Sequence, residues 1–299
     1  MLTRRHLLLL AGSMGLLMEM PALGQDRVIV VTTFSILGDL VKNVGGDRVE
    51  VSTLVGPNGD VHVYLPTPGD ARKLAAAKVV FVNGLGLEGW LTRLISASGT
   101  KASIVIASEG IKPRKMKDEH DIGDVPDAHA WQSVANAKIY IENIRDGFVA
   151  VDRSGEKNYQ ANATDYLAKL DALDAEIKSA IEAIPPARRK VITAHDAFGY
   201  FGDAYGVEFI APEGLSTEAE PSAGGLAKLI DQIRREKISA VFMENVTDPR
   251  LAERIAEETG AKIGGTLYSD ALSPPGGSAA TYIEMMRGNA RELTSALTS

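Results

Sequence analysis

Residues 155–186 read GEKNYQANATDYLAKLDALDAEIKSAIEAIPP. Within this stretch Tyr159, Tyr166, Leu170, Leu173, Ile177 and Ile181 recur mostly at spacings of three and four, which is one apolar face of a long amphipathic helix. The helix must stop at Pro185-Pro186, the sharpest boundary in the chain. On either side, β-branched runs alternate with helical patterns. Ahead of the helix, Val28–Phe34 (VIVVTTF), Val49–Val55, Val79–Val82 and Ser103–Ala107 predict strands, with helices from Ser35, over Thr67–Ala77 and over Leu87–Ala97. Behind it, strands are expected at Lys190–Ala194, Val207–Ala211, Ile238–Met243 and Ala261–Leu267. Helices are expected at Phe198–Tyr205, Gly224–Glu236, Arg250–Thr259 and from about Ala280 to Leu297. The alternation predicts an α/β protein with two βα lobes, each on a parallel sheet, joined by the long helix. The expected division is 25–153, 154–186 and 187–299.

The first residues read as an export signal, with Arg4 and Arg5 ahead of the apolar run Leu7–Met18 and small residues at Ala22 and Gly24. Cleavage is expected near Gly24/Gln25. The arginine pair also occurs in twin-arginine signals, but an ordinary signal is the simpler reading. No later run is apolar and long enough for a membrane span. Cysteine is absent, so disulfides are excluded and no cysteine-linked lipid anchor is expected. The formal charge is −7, and residues 1–24 hold Arg4, Arg5 and Glu19, leaving about −8 on the exported part. That acidity argues against nucleic acid as a partner and is compatible with a cation as ligand. A bacterial periplasm is the expected location.

The chain has five histidines, and one of them, His6, falls in the signal. His62 lies in the turn-rich segment GPNGDVH after a strand; Thr67 then caps the next helix, with Pro68 at its first position. His129 lies in PDAHAW ahead of a helix. His195 follows VITA and Asp270 follows TLYS, both after strands. Open α/β sheets bind ligands at the carboxyl ends of their strands. Three imidazoles and a carboxylate arriving there from four loops form a complete ligand set for a transition metal. Each residue alone has a plainer reading, as a part-buried histidine or a turn aspartate. Their joint placement is the informative feature.

The segments GPNGDVHVYLPTPGD, PDAHAW, TAHDAFGYFGDAYGV and TLYSDALS resemble the four ligand-bearing motifs of the zinc- and manganese-binding receptors of bacterial ABC transporters, the cluster A-I solute-binding proteins. The resemblance runs in order through the whole exported chain. It implies two Rossmann-like lobes bridged by one long helix, with metal between them. His62 and His129 would come from the first lobe, His195 and Asp270 from the second. In this family the third ligand is often Glu in manganese receptors and His in zinc receptors, so His195 favours Zn2+ over Mn2+. The implied activity is capture of zinc and delivery to a membrane permease driven by a cytoplasmic ATPase. The implied receptor is a monomer with limited lobe motion, and a periplasmic metal chaperone is a candidate donor.

Zinc receptors of this family often carry a histidine-rich insertion before the second ligand. Here the loop offers Asp118, Glu119, His120, Asp121 and Asp124 instead. A solvated charged loop is the simpler reading, and metal capture or docking is the alternative. Asp196 reads as a cap of the following helix, or as a carboxylate that orients His195. Glu244-Asn245 ends a strand facing the cleft. Trp131 and Tyr268 are expected to pack around the metal. The rival reading, a secreted zinc hydrolase, needs an open metal position, and no HExxH, GxSxG or glycine-rich phosphate loop is present. An adhesin or structural role finds no repeat or anchor to support it.

Overall fold

The computed structural model describes residues 27–117, 124–211, 217 and 223–298. The expected signal, and Asp118, Glu119, His120 and Asp121 of the acidic loop, lie outside these residues. The first sheet is built from β1 (Val28–Phe34), β2 (Val49–Val55), β3 (Val79–Val82) and β4 (Ser103–Ile106), in the order β2-β1-β3-β4. All its pairs are parallel, with Val28 opposite Val49, Val30 opposite Val79 and Val79 opposite Ser103. β3 is buried throughout and β1 at all positions but Ile29, as central strands covered by helices on both faces require. α1 (Ser35–Gly45), α2 (Pro68–Ala76) and α3 (Leu91–Ser98) supply the crossovers.

α3 begins four residues later than the apolar pattern suggests. The cause is Glu88, whose carboxylate accepts from the backbone N–H groups of Asn83 (2.6 Å) and Gly84 (3.2 Å) and from the Thr33 hydroxyl (2.6 Å). It holds a turn in which Gly84, Leu85 and Gly86 all take positive φ, and a helix cannot start until that turn closes. The charged loop ahead of His129 is also more ordered at its margins than a plain loop. Its two ends pair as a short antiparallel hairpin, β5 (Lys115–Lys117) with β6 (Asp124–Pro126).

α4 (Val134–Val151) leads into α5 (Glu156–Glu182), the long helix. At 27 residues it spans about 40 Å. All six apolar residues read from its sequence are buried. Each contributes about 1.5–3 kcal/mol by leaving water. α5 is not a free tether, because this face packs along its length on α1 and α4. Its start is fixed by Asp152, which accepts from Arg48 (2.8 Å) and from the Tyr159 hydroxyl (2.7 Å).

The second sheet, β7 (Lys190–Ile192), β8 (Glu208–Ile210), β9 (Ala240–Glu244) and β10 (Lys262–Leu267), is also parallel, in the order β10-β9-β7-β8. Taken in chain order this repeats the first sheet: the second strand joins one side of the first, and the third and fourth join the other. α6 (Gly199–Tyr205), α7 (Ala223–Glu236), α8 (Pro249–Thr259) and α9 (Tyr282–Thr298) complete the lobe. α9 folds back onto α5 and α1, where Tyr282 N donates to Asp39 Oδ2 (2.9 Å). One buried core therefore runs from the first sheet through α5 to Phe242 and Leu267 of the second. A smaller core, including Ile192, Ile230, Val241 and Ile255, lies under α7 and α8. Among the described residues, no helix is long and apolar enough to cross a membrane.

α2 opens with the capping box read from the sequence. Asp70 Oδ2 accepts from Thr67 N (2.9 Å), Thr67 Oγ1 (2.7 Å) and the Tyr64 hydroxyl (2.7 Å), while Lys73 reaches Oδ1 (3.1 Å). Burial pushes the Asp70 carboxyl up, but these donors outweigh it and hold it down at about 2. Asp70→Ala should lower the unfolding free energy by about 1–3 kcal/mol at neutral pH, read by denaturant titration. A depressed carboxylate stabilises only while it is ionised in the folded state. The gap between wild type and variant should therefore shrink as pH falls from the ordinary value of 3.8 towards about 2.

Candidate metal centre

Four loops converge between the carboxyl ends of the two sheets. The first follows β2. In it Pro57 and a left-handed Asn58 form a turn closed by Gly59 N donating to Gly56 O (3.1 Å). Asp60 Oδ1 then accepts from His62 N (2.8 Å), and the Trp90 indole donates to Val61 O (2.9 Å). His129 follows the β5–β6 hairpin and opens a 3₁₀ turn, Ala130–Gln132, ahead of α4. His195 and Asp270 each lie three residues beyond the ends of β7 and β10.

The structure brings all four side chains together. One ligand-type atom from each lies within 4.8 Å of the other three. His62 Nε2 is 3.3 Å from His129 Nε2 and 3.5 Å from Asp270 Oδ2. His129 Nε2 is 3.5 Å from Asp270 Oδ1, and His195 Nε2 is 2.9 Å from Oδ2. The three imidazole rings are 5.3–5.9 Å apart between centroids, close to an equilateral triangle. A tetrahedral ion bound at about 2.0–2.1 Å spreads its donors about 3.3 Å apart, which is the scale of these separations. His129, His195 and Asp270 are wholly buried, and His62 is the most accessible of the four.

The charge on the centre is unusual. Both oxygens of Asp270 are buried without a hydrogen bond of proper geometry, although imidazole nitrogens lie close by. A desolvated carboxylate in that state costs several kcal/mol unless a cation compensates it. Burial alone would raise the Asp270 carboxyl, but His195 and His129 hold it well below the usual range. Burial likewise opposes a charge on His129 and His195. The carboxylates of Asp270 and Asp127 overcome that at His129, and those of Glu244 and Asp270 at His195, so both imidazoles are held above their ordinary value. The donor set, three imidazoles and a carboxylate, fits a divalent transition metal.

Two carboxylates orient the imidazoles: Asp127, which sequence reasoning passed over, and Glu244, which it placed only at a strand end facing the cleft. Asp127 Oδ1 is bonded to both His129 N (3.0 Å) and His129 Nδ1 (2.9 Å). Glu244 Oε1 accepts from Ala194 N (2.8 Å) and His195 N (3.0 Å), and its Oε2 lies 2.7 Å from His195 Nδ1. In both rings this directs Nε2 towards the centre. The signal for Asp127 was its place two residues ahead of a histidine, the spacing of an Asx turn. Glu244 had only its place at a strand end. Asp196 does not cap α6, which starts at Gly199 with Phe198 in the capping position and no side-chain cap. Trp131 packs on His129 with centroids 5.3 Å apart, whereas the Tyr268 hydroxyl turns to Ser278 (3.1 Å). Asp124 stays exposed on β6, with Lys115 at 3.8 Å.

The lobes are stitched together around the centre. Trp131 Nε1 and Gln132 Nε2 donate to Ser269 O (2.9 and 2.8 Å), Asn58 N donates to Leu272 O (2.9 Å), and Asn245 Nδ2 donates to Asn58 Oδ1 (3.1 Å). If Asp127 and Glu244 hold ligand imidazoles, Asp127→Asn and Glu244→Gln should each weaken metal binding by about 10–100-fold in chelator competition. The circular dichroism spectrum should be unchanged.

Residues 30–296 match the family model described as zinc-uptake complex component A, periplasmic (ZnuA). The chain is 34% identical over 268 residues to the manganese-binding lipoprotein MntA of Halalkalibacterium halodurans, covering 90% of this chain and 88% of that one. It is 35% identical over 257 residues to the iron-binding protein YfeA of Yersinia pestis, covering 86% and 82%. Among solved structures, the periplasmic zinc binding protein TroA of Treponema pallidum superposes with a TM-score of 0.84 at 31% identity, covering 91% of this chain and 99% of that one. The Mn-bound periplasmic metal binding protein of Candidatus Liberibacter asiaticus superposes with a TM-score of 0.81 at 34% identity, covering 91% and 100%. The chain thus belongs to the ZnuA family of periplasmic metal-binding receptors of ABC transporters, the cluster A-I solute-binding proteins, and is a binding component rather than an enzyme.

Proposed function

We propose that this receptor captures Zn2+ between its lobes on His62, His129, His195 and Asp270 and delivers it to an ABC permease for uptake. The observation that carries the reading is the Asp270 carboxylate, buried without a hydrogen bond among three imidazole nitrogens. A divalent cation supplies the charge it lacks. Four donors, three of them nitrogen, suit zinc, which accepts low coordination numbers and binds nitrogen sites more tightly than manganese does. In this reading the protein is exported to the periplasm after cleavage near Gly24/Gln25 and acts as a monomer, with a periplasmic metal chaperone as a candidate donor. Its lobes would be 25–153 and 187–299, on a link of 154–186. The core shared through α5 favours small lobe motions over a wide hinge closure.

A second reading, manganese, rests on one feature. Oδ1 of Asp270 faces His129 while Oδ2 faces His62 and His195, so the carboxylate is placed to give both oxygens. That makes five donors, closer to what manganese prefers. MntA is named as a manganese-binding protein.

Metal analysis of the purified protein, with Zn2+ and Mn2+ titrations of stripped wild type and His195→Ala, separates these readings. One tight zinc per chain, manganese weaker by orders of magnitude and loss of affinity in the variant are expected. Manganese binding as tightly as zinc would transfer the assignment to the second reading, and full zinc affinity without His195 would overturn the ligand set.

Proton competition gives a further expectation. Ligand imidazoles must be neutral, and those of His129 and His195 are held above the ordinary 6.5 by their carboxylates, against the effect of burial. Zinc affinity should therefore begin to fall while the pH is still above 6.5, as acid is added. Calorimetry in buffers of different ionisation enthalpy should show protons released on binding.

A further inference from the structure

The guanidinium of Arg114 links the protein surface to Asp127, the carboxylate behind His129. Arg114 lies just ahead of β5, with its side chain 30% exposed. Its Nη1 is 3.3 Å from Asp127 Oδ2, and its Nε is 3.2 Å from Asp203 Oδ2 on α6. Asp127 is wholly buried, and its other oxygen is already bonded to the backbone and ring of His129. The backbones of the two residues are tied as well. Asp127 N donates to Arg114 O (2.8 Å), and Arg114 N donates to the Tyr200 hydroxyl (2.9 Å), which itself donates to Asp127 O (3.1 Å). Gly199, the first residue of α6, leaves the space in which the guanidinium lies; a Cβ there would collide with it.

We propose that Arg114 is a positioning residue for His129, acting through Asp127, and that it sets how long the metal is retained; this rests on the reading of the centre as a metal site. With Oδ2 held by the guanidinium, the carboxylate plane is fixed and Oδ1 stays on Nδ1 of the ring. Without that partner, a buried carboxylate with one free oxygen can rotate, and the ring loses its orientation. Asp203 is 70% exposed and meets the guanidinium only at Nε, away from the Nη1 that holds Asp127, so it serves as an internal control.

The test is the rate at which zinc passes from the loaded protein to excess chelator, with the visible spectrum of the Co2+-substituted protein as a report on ligand geometry. Arg114→Gln should release zinc about 10-fold faster and alter the cobalt spectrum. Gly199→Ala, which displaces the guanidinium without removing its charge, should shift both in the same direction. Arg114→Lys should recover part of the retention, and Asp203→Ala should behave as wild type. Wild-type release and an unchanged cobalt spectrum in Arg114→Gln would overturn the proposal. So would an equal acceleration in Asp203→Ala, which would mark a clamp between lobes only. Wild type that binds no stoichiometric metal would instead overturn the reading of the centre itself.

Discussion

The apolar face of α5 is the constraint on which the rest depends. Donors from four loops on two sheets lie within 4.8 Å of one another, a tolerance that only a fixed relation between the sheets can maintain. Tyr159 to Ile181 supply that relation by burying one continuous seam that the core of both lobes shares. A rigid scaffold lets the chain hold imidazoles and a carboxylate in a geometry that solvent would otherwise break apart. Binding then costs little conformational rearrangement, and more of the gross metal–ligand energy remains as affinity.

Electrostatics complete what packing begins. The two wholly buried histidines of the proposed metal site each have a carboxylate behind them, Asp127 or Glu244, and each of those carboxylates also secures the backbone of the loop that presents its ring. One acidic side chain thus fixes both where the loop sits and which ring nitrogen faces inwards. His62 is held through its backbone and by Trp90 instead, which accords with its greater access to solvent.

Much of this was legible from residues alone. β1, β2 and β3 fall where the residue pattern places them; β1 and β3 are central strands buried almost throughout, while β2, at the edge of the sheet, keeps Glu50 exposed. The α2 cap and the buried face of α5 followed from side-chain chemistry and spacing. The four cleft residues were visible because histidine is scarce here and strand ends are marked. What escaped depends on long-range contacts. The late start of α3 requires Glu88 to reach Thr33, and the role of Glu244 requires β9 to lie beside β7. Asp196 looked like a helix cap by residue type alone, although the helix was expected from Phe198 and starts at Gly199, too far along for Asp196 to cap it.

The return of α9 onto α1 has a consequence for the order of assembly. Tyr282 and Asp39 are 243 residues apart, and Asp270 enters only near the end of the chain. Contacts of such sequence separation form late, because their loops are costly to close. A chain emerging from its N-terminus would hold three imidazoles without their carboxylate, and with no last helix to press the second sheet against the first. Tight metal capture therefore becomes a property of the finished molecule alone, so the centre reports that synthesis and folding have both run to completion.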